Sequence, residues 1–184
     1  KFKDKFVGSF GDIATYSFFP SKNLGAYGDA GAITTNNDIL AEKIRAFANH
    51  GQKKKNEHEF EGINSRLDEI QASVLLAKLY YINEWTEKRV SIAQQYNKLL
   101  ECQNIVETPK IRENTRHVYH LYVIKTLYRD ELRVWLNQHN IATGIHYPYI
   151  LPDMPPYRDL CQDPGEFLHS RKSVQTALSL PIYP

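Results

Sequence analysis

Two short runs typical of β-strands flank a glycine-rich turn that contains a single lysine, Lys22. The runs are DIATYSFF, residues 12–19, and AGAITTN, residues 30–36. Their β-branched and aromatic side chains predict two strands, the first of them buried and ended by Pro20 and Ser21. Because lysine is poorly suited to the end of a buried strand, its amine either points into water or is used by a functional site.

The next segment, DILAEKIRAFANHG, has the pattern of an amphipathic helix. Asn36 or Asn37 can cap its start, and Gly51 is expected to end it. Three apolar side chains are able to share its inner face: Ile39, Ile44 and Phe47. Residues 52–61 are polar and charged and include a run of three lysines, so they predict an exposed loop.

Residues 67–100 predict two helices that meet near Asn83, and the first would carry an apolar stripe of Ile70, Val74, Ala77 and Tyr81. The segments HVYHLYVIK and IATGIHYP then predict strands on either side of a helix, RDELRVWLNQHN, and a last helix is expected at about residues 165–177. This mixture of strands and helices predicts an α/β fold in two parts. We place the larger domain at residues 1–83 and a smaller α+β domain at residues 84–184.

Composition excludes several classes of function. The net charge of +2 is too small to indicate binding of nucleic acid or of an anionic membrane surface. No apolar run approaches the length of a membrane span. Cys102 and Cys161 match no metal-binding spacing, and a reduced, cytoplasmic setting fits them. His117 and His120 have an H-x-x-H spacing, but no carboxylate or cysteine converges on them in sequence, so we interpret them as strand residues and predict no metal site.

The amine of Lys22 has two interpretations. A lysine becomes a nucleophile when it is desolvated, or when it forms an imine with an aldehyde cofactor such as pyridoxal phosphate (PLP). Ser17, five residues earlier, could donate a hydrogen bond to the phosphate of such a cofactor, and three glycines would let the backbone turn tightly beside it: Gly25, Gly28 and Gly31. Spacing alone favours the simpler alternative, in which Lys22 is an exposed turn lysine and Ser17 an ordinary strand serine.

The wider order of motifs reverses that preference. The blocks GSFGDIATYSFFPSKNLGAYGDAGAITTNN, HG, EGINSRLDEIQASVLLAKL, RVSIAQQYNKLL, YHLYVI, GIHYP and LSLPIYP follow one another along the chain. In this order they resemble the DegT/DnrJ/EryC1/StrS family of PLP-dependent sugar aminotransferases, which have the fold type I, aspartate aminotransferase-like architecture. The resemblance covers essentially the whole chain. It implies a C-terminal portion: the end of the large mixed-sheet domain and most of the small domain.

The resemblance assigns roles to four residues of the cofactor site. Lys22 corresponds to the lysine that forms the imine with PLP, and its presence favours transamination, since relatives with histidine there are dehydratases. Ser17 corresponds to the serine that holds the cofactor phosphate. Asn64 and Arg66, in GINSR, match a segment that crosses a homodimer interface to the phosphate of the neighbouring subunit.

Local alternatives remain open for both residues of that segment. Asn64 can be the cap of the helix that begins near Leu67. Arg66 can form an ion pair with Asp68 or Glu69. Neither alternative excludes the role that the resemblance implies.

His146 and Tyr147, in GIHYP, resemble the end of the small-domain strand that borders the sugar site, and a strand-terminal packing pair is an equal alternative. By the same resemblance, the substrates are L-glutamate, as amino donor, and a ketosugar linked to a nucleotide. The motif variants are most similar to relatives that act on 3-keto-6-deoxy sugars linked to dTDP. The protein is then expected to be a cytoplasmic homodimer.

The chain starts at Lys1 and stops within a recognisable motif, so we expect it to be a fragment of a longer parent protein. The acidic residue that faces the cofactor's ring nitrogen would then lie upstream, and the fragment alone would be inactive. Rival interpretations are a dehydratase, a regulatory relative, or a non-catalytic interaction protein on the same scaffold.

Overall fold

The computed structural model describes residues 1–160 and 165–184, so Cys161 lies outside the described part of the chain. The chain divides into two compact units. The first contains Lys1–Trp85 and Arg112–His117, and the second contains Thr86–Ile111 and Val118–Pro184. The boundary placed between residues 83 and 84 concerns the domains of the parent protein and stays a prediction. That prediction did not include the return of Arg112–His117 to the first unit.

A β-hairpin carries Lys22 in the first unit. Strand β1, Ala14–Ser17, pairs antiparallel with β2, Gly31–Thr34, so that Ser17 lies opposite Gly31. Both strands are shorter than predicted, and three of the four residues of β1 are exposed. The prediction of a buried first strand is therefore wrong for this chain, because β1 and β2 pair only with each other among the described residues.

Helix α1, Asp38–Ala48, begins where the sequence predicts. The side chain of Asn37 caps it by accepting a hydrogen bond from the backbone N–H of Leu40 at 3.2 Å. The predicted inner face is wrong, because Ile39 is 67% exposed and the buried residue of the helix is Ala46. Periodicity locates the helix correctly, but what packs against it decides which face is covered.

Gly51 follows α1 in a turn with φ of +72°, a left-handed conformation that favours glycine. A β-carbon at Gly51 would also lie 1.7 Å from the carbonyl oxygen of Phe60. The segment predicted as a plain loop then forms a small antiparallel hairpin of β3, Gln52–Lys54, and β4, Glu57–His58.

The long helical segment consists of α2, Glu69–Leu79, and α3, Ile82–Leu100, so the predicted break is confirmed near its expected place. The predicted stripe of α2 is not its buried face: Ile70 is 74% exposed, whereas Leu75 is buried.

The second unit is built around an antiparallel pair of strands. Strand β5, Tyr122–Lys125, pairs with β6, Ala177–Leu180. Helix α4 spans Arg129–Gln138 and α5 spans Leu168–Thr176, with short 3₁₀ turns at Leu151–Asp153 and Pro155–Leu160. The core cluster contains Ala93, Tyr119, Tyr122, Ile124 and Leu178.

The predicted strand IATGIHYP does not form. In its place the structure has one isolated bridge, in which Gly144 and Ser179 exchange backbone hydrogen bonds of 3.1 and 2.8 Å. Among the described residues, the backbone near His146 therefore pairs with β6 through this one bridge to Ser179.

Arg89 of α3 is buried in the second unit and donates hydrogen bonds to three backbone carbonyls. Its Nη1 lies 3.3, 3.4 and 3.1 Å from the oxygens of Tyr119, His120 and Ile182, respectively. Burial lowers the pKa of the guanidinium, which nevertheless stays charged at neutral pH. Arg89 thus connects α3 to the residues just before β5 and to a residue just after β6.

Candidate functional site

Ser17 and Lys22 meet in one turn at the end of β1. The hydroxyl oxygen of Ser17 accepts a hydrogen bond from the backbone N–H of Phe19 at 3.3 Å. The backbone N–H of Lys22 donates to the carbonyl oxygen of Phe19 at 2.8 Å. The structure therefore brings together the two residues that the sequence analysis selected first, with Phe19 as their common partner.

The loop between β1 and β2 is closed upon itself. The backbone N–H of Phe18 donates to the oxygen of Ala30, and that of Ala26 donates to the oxygen of Phe18, each at 2.8 Å. A β-carbon at Gly25 would lie only 2.3 Å from the carbonyl oxygen of Pro20. Gly25 is thus needed for a close approach of two backbone segments. It has no left-handed φ, a conformation that Gly51 alone adopts among the described glycines.

The side chain of Lys22 is half-buried, and it makes no hydrogen bond or ion pair with any residue that the structure describes. Its amine is therefore available to a ligand. The hydroxyl of Ser17 already accepts from Phe19, so its hydrogen remains free to donate. An unengaged amine and a hydroxyl donor in one turn fit the aldehyde and the phosphate of PLP, respectively.

Two residues of α2 hold the far side of this loop, and the sequence analysis did not assign them. The Oε1 atom of Gln71 accepts hydrogen bonds from the backbone N–H groups of Tyr27 and Gly28 at 2.7 and 3.0 Å. The Nζ atom of Lys78 donates to the oxygen of Gly25 at 2.7 Å and lies 4.5 Å from the ring centroid of Tyr27. The block G-x-N-x-R-x-D-E-x-Q-A contains Gln71, so this motif pointed to the residue. The sequence did not indicate its hydrogen-bond partners, because Tyr27 and Gly28 lie more than 40 residues away.

Asn64 and Arg66 lie between β4 and α2, and both are exposed. Asn64 forms a backbone bridge with Asn49, and Nη1 of Arg66 donates to Oδ1 of the same Asn49 at 3.1 Å. Among the described residues neither makes a hydrogen bond or ion pair with Ser17 or Lys22.

The local alternatives considered for these two residues are wrong. The cap of α2 is Asp68, whose side chain accepts from the backbone N–H of Gln71 at 2.9 Å, so Asn64 does not cap it. Arg66 binds Asn49 rather than a neighbouring carboxylate.

His146 and Tyr147 lie in the second unit, and both are exposed. Their rings meet edge to face with centroids 5.6 Å apart. The Nδ1 atom of His146 lies 2.8 Å from the hydroxyl oxygen of Ser179, a buried residue. This contact fixes the orientation of the imidazole and leaves Nε2 to meet a ligand.

The part of the chain that the structure describes contains no group of three or more histidine, cysteine, aspartate or glutamate residues able to hold a metal ion. Burial lowers the pKa of His117, so this side chain is neutral at physiological pH. No helix within residues 1–160 or 165–184 combines the length and the apolar character needed to cross a membrane.

Curated proteins similar to this chain include a regulatory protein and two sugar aminotransferases. The chain is 46% identical to the "Pleiotropic regulatory protein" of Geobacillus stearothermophilus, with 100% of this chain and 50% of the relative covered. It is 36% identical to the "dTDP-3-amino-3,4,6-trideoxy-alpha-D-glucose transaminase" of Streptomyces venezuelae, with 100% and 48% covered. It is 37% identical to the "UDP-2-acetamido-2-deoxy-3-oxo-D-glucuronate aminotransferase" of Pseudomonas aeruginosa, with 100% and 50% covered. The chain spans about half the length of these curated relatives.

Solved structures share the fold. The chain superposes on S. venezuelae DesV with a TM-score of 0.95 at 36% identity, covering 100% of this chain and 49% of DesV. It matches ntdA from Bacillus subtilis, solved with bound cofactor PMP, with a TM-score of 0.85 at 33% identity, covering 97% and 43%. These matches confirm the predicted α/β, fold type I class, and their coverage is consistent with a C-terminal portion.

The sequence profile of the DegT/DnrJ/EryC1/StrS aminotransferase family matches residues 1–184, the whole of the chain. The order of motifs, the lysine loop and the superposition on DesV therefore agree on one identification, and the chain belongs to the DegT/DnrJ/EryC1/StrS aminotransferase family.

Proposed function

We propose that the parent protein is a PLP-dependent aminotransferase that moves an amino group from L-glutamate to the ketone of a nucleotide-linked deoxysugar. The observation that carries this proposal is the unengaged, half-buried amine of Lys22 in a loop that is closed on itself. Family membership supports the reaction class, and the names of the S. venezuelae and P. aeruginosa relatives support a sugar nucleotide as substrate.

Lys22 has two tasks in this proposal. When bound, PLP supplies an aldehyde and an electron-withdrawing ring, which stabilises negative charge at the carbon that loses a proton. The Nζ atom of Lys22 would hold the cofactor covalently between turnovers. During turnover, the same amine in its neutral form would take a proton from the α-carbon of the amino donor. L-glutamate leaves as its 2-oxo acid, and the C=O group of the ketosugar becomes CH–NH₂.

Ser17, Asn64 and Arg66 would bind the cofactor phosphate. The hydroxyl of Ser17 donates from within the Lys22 turn. Asn64 and Arg66 are exposed, and among the described residues neither makes a hydrogen bond or ion pair with Ser17 or Lys22, which supports their use in the site of the second subunit of a homodimer. Arg66 engages Nη1 with Asn49, and the N–H groups on Nε and Nη2 remain to bind phosphate oxygens.

His146 and Tyr147 would border the sugar. The contact between His146 and buried Ser179 supports this role, because it holds the imidazole in one orientation in a residue that is otherwise exposed. In the parent protein, residues 1–83 would end the large PLP-binding domain and residues 84–184 would form the small domain. We place the enzyme in the cytoplasm.

Reduction with borohydride tests the central claim. The full-length parent is incubated with PLP, reduced and digested, and its peptides are analysed by mass spectrometry. We expect a pyridoxyl adduct on Lys22, and loss of both adduct and amino transfer in Lys22→Ala. The exposed Lys55→Ala serves as the matched control and should behave as wild type. An adduct on another residue, or on none, would refute the proposal.

The nucleotide and the position of the ketone form a finer proposal: a dTDP-linked 3-keto-6-deoxy sugar. The S. venezuelae relative is named for a dTDP-3-amino sugar and the P. aeruginosa relative for a UDP-3-oxo sugar, so position 3 has broader support than the nucleotide. The parent is assayed with dTDP-linked and UDP-linked 3-keto and 4-keto sugars side by side. Exclusive turnover of a 4-ketone would eliminate the assignment.

We further propose that the 184-residue chain alone is inactive, because the acidic partner of the cofactor's ring nitrogen would come from outside it. Titration of the isolated chain with PLP tests this. An absorbance band of a lysine-linked cofactor, at the affinity of the full-length parent, would contradict it.

A regulatory function is the second candidate, since the relative with 46% identity is named a pleiotropic regulatory protein. On that alternative, the effect of the parent on gene expression persists in Lys22→Ala, although cofactor binding is lost. Concurrent loss of amino transfer and of the cellular effect favours the enzyme.

A further inference from the structure

We infer that Gln71 and Lys78 are positioning residues that hold the loop carrying Lys22 against helix α2. This inference rests on the proposed function of Lys22. The two side chains are seven residues apart, about two helical turns, and therefore lie on the same face of α2. Both reach the same short segment, residues 25–28.

All four residues of this segment are held through hydrogen bonds of their own backbone groups. The oxygen of Gly25 accepts from Nζ of Lys78, and the N–H groups of Tyr27 and Gly28 both donate to Oε1 of Gln71. The N–H of Ala26 donates to Phe18, and Ala26 is 1% exposed. A segment with polar backbone atoms tied in both directions has little freedom to shift along the helix.

The side chains of α2 fit this segment closely. A β-carbon at Gly28 would lie 3.2 Å from Nε2 of Gln71, a tight contact, so the amide of Gln71 packs closely against this glycine. Lys78 combines its hydrogen bond with a position 4.5 Å from the ring centroid of Tyr27, where the ring attracts the cation.

Two contacts connect this segment to the backbone around Lys22. The bond between Ala26 and Phe18 closes an inner loop of residues 19–25, which contains Lys22. Within it, Gly25 packs directly on the carbonyl of Pro20. A shift of residues 25–28 would therefore move the backbone that carries the Lys22 amine.

Four variants of the full-length parent test the inference. Gln71→Ala removes the acceptor, whereas Gln71→Glu keeps an oxygen acceptor at the same place. Lys78→Met removes the donor and the charge but keeps most of the aliphatic stem. Ser73→Ala is the matched control, since Ser73 is exposed, its hydroxyl donates to the oxygen of Glu69 within α2, and it makes no hydrogen bond to the loop among the residues that the structure describes.

Hydrogen exchange of the cofactor-free parent gives the direct readout. Because a lost hydrogen bond of ordinary strength corresponds to about a tenfold change in an opening equilibrium, peptides containing Tyr27 and Gly28 should exchange about tenfold faster in Gln71→Ala. Exchange in Gln71→Glu and Ser73→Ala should match wild type. Equal protection in Gln71→Ala and wild type would overturn the inference, and so would a loss of protection spread over peptides of β5 and β6.

Kinetics of the cofactor-loaded parent give the functional readout. Misplacing a reacting group by about 1 Å can cost about a hundredfold in rate, so kcat should fall between about tenfold and a hundredfold in Gln71→Ala and Lys78→Met, with KM for the sugar unchanged. Gln71→Glu should recover most of kcat. A rise in KM with unchanged kcat would refute a positioning role.

Different results would refute the proposed function of Lys22 and the positioning role of Gln71 and Lys78. If borohydride places no adduct on Lys22 in the wild type, the proposed function is wrong, and the exchange experiment still reports whether α2 holds the loop. If Lys22 is labelled in wild type and the rate of labelling and kcat are unchanged in Gln71→Ala and Lys78→Met, the function stands and the positioning role is wrong.

Discussion

Wild type should be more stable than Tyr122→Phe at pH 8, and the variant should become the more stable of the two as the pH rises. Tyr122 is fully buried in the second unit, stacks on Tyr96 with centroids 4.8 Å apart, and donates from its hydroxyl to Oδ1 of Asn97 at 2.6 Å. Burial, assisted by the neighbouring Tyr119 and Tyr96, raises the pKa of Tyr122 from 10.0 to about 12.

The magnitude follows from two opposing effects. At pH 8, Tyr122→Phe loses one hydrogen bond and should be less stable by about 1 kcal/mol. Between pH 10 and pH 12 the unfolded phenol is ionised while the folded one stays protonated, so wild type loses stability with rising pH. At 1.36 kcal/mol for each pKa unit, the loss approaches about 2.7 kcal/mol near pH 12, and it equals the value of the hydrogen bond near pH 11.

Chemical unfolding of the full-length parent, followed at several pH values from 8 to about 11.5, measures this difference directly. Wild type should be the more stable protein at pH 8, and Tyr122→Phe should be the more stable one above about pH 11. Tyr149→Phe, which alters an exposed tyrosine of the same unit, is the control. A difference between wild type and Tyr122→Phe that does not change with pH would refute the reasoning.

Three further predictions concern side chains that shape the two units. Ser179→Ala removes the partner of the His146 imidazole, and we expect KM for the sugar to rise several-fold with little change in labelling of the parent by PLP, measured by steady-state kinetics and absorbance. Gly25→Ala places a β-carbon against the carbonyl of Pro20, and we expect a loss of roughly 1–3 kcal/mol together with slower amino transfer, measured by thermal unfolding and single-turnover kinetics. Arg89→Leu removes a donor from three backbone carbonyls, one of them buried and two partly buried, and we expect a loss of at least about 3 kcal/mol in chemical unfolding; a loss below 1 kcal/mol would contradict this account.

Features set by neighbours in sequence were predictable. Asn37 caps α1, and the helical segment breaks close to Asn83, because capping and helix termination depend on a few consecutive residues. The motif blocks also identified the family correctly, since their order and spacing are properties of the chain itself.

Burial was predicted poorly. Ile39 and Ile70 belong to apolar stripes at helical spacing, yet both are largely exposed in this chain, and Ala46 and Leu75 are buried instead. A stripe shows that a face is able to be covered, but which face is covered depends on what the rest of the fold brings against it. The strand predicted around His146 does not form for a related reason. Strand formation needs a paired neighbour, and among the described residues this segment pairs with β6 only through the bridge between Gly144 and Ser179.

The sequence by itself determined the family and the chemical groups of the candidate site: an amine at Lys22 and a hydroxyl at Ser17. Only the tertiary structure decided which distant side chains contact the loop that carries them. Gln71 reaches Tyr27 and Gly28 across more than 40 residues, and no local pattern encodes which backbone N–H groups a distant amide will meet. Hydrogen bonds of that kind exist only after the loop and α2 have packed together, because packing is what brings their partners within about 3 Å.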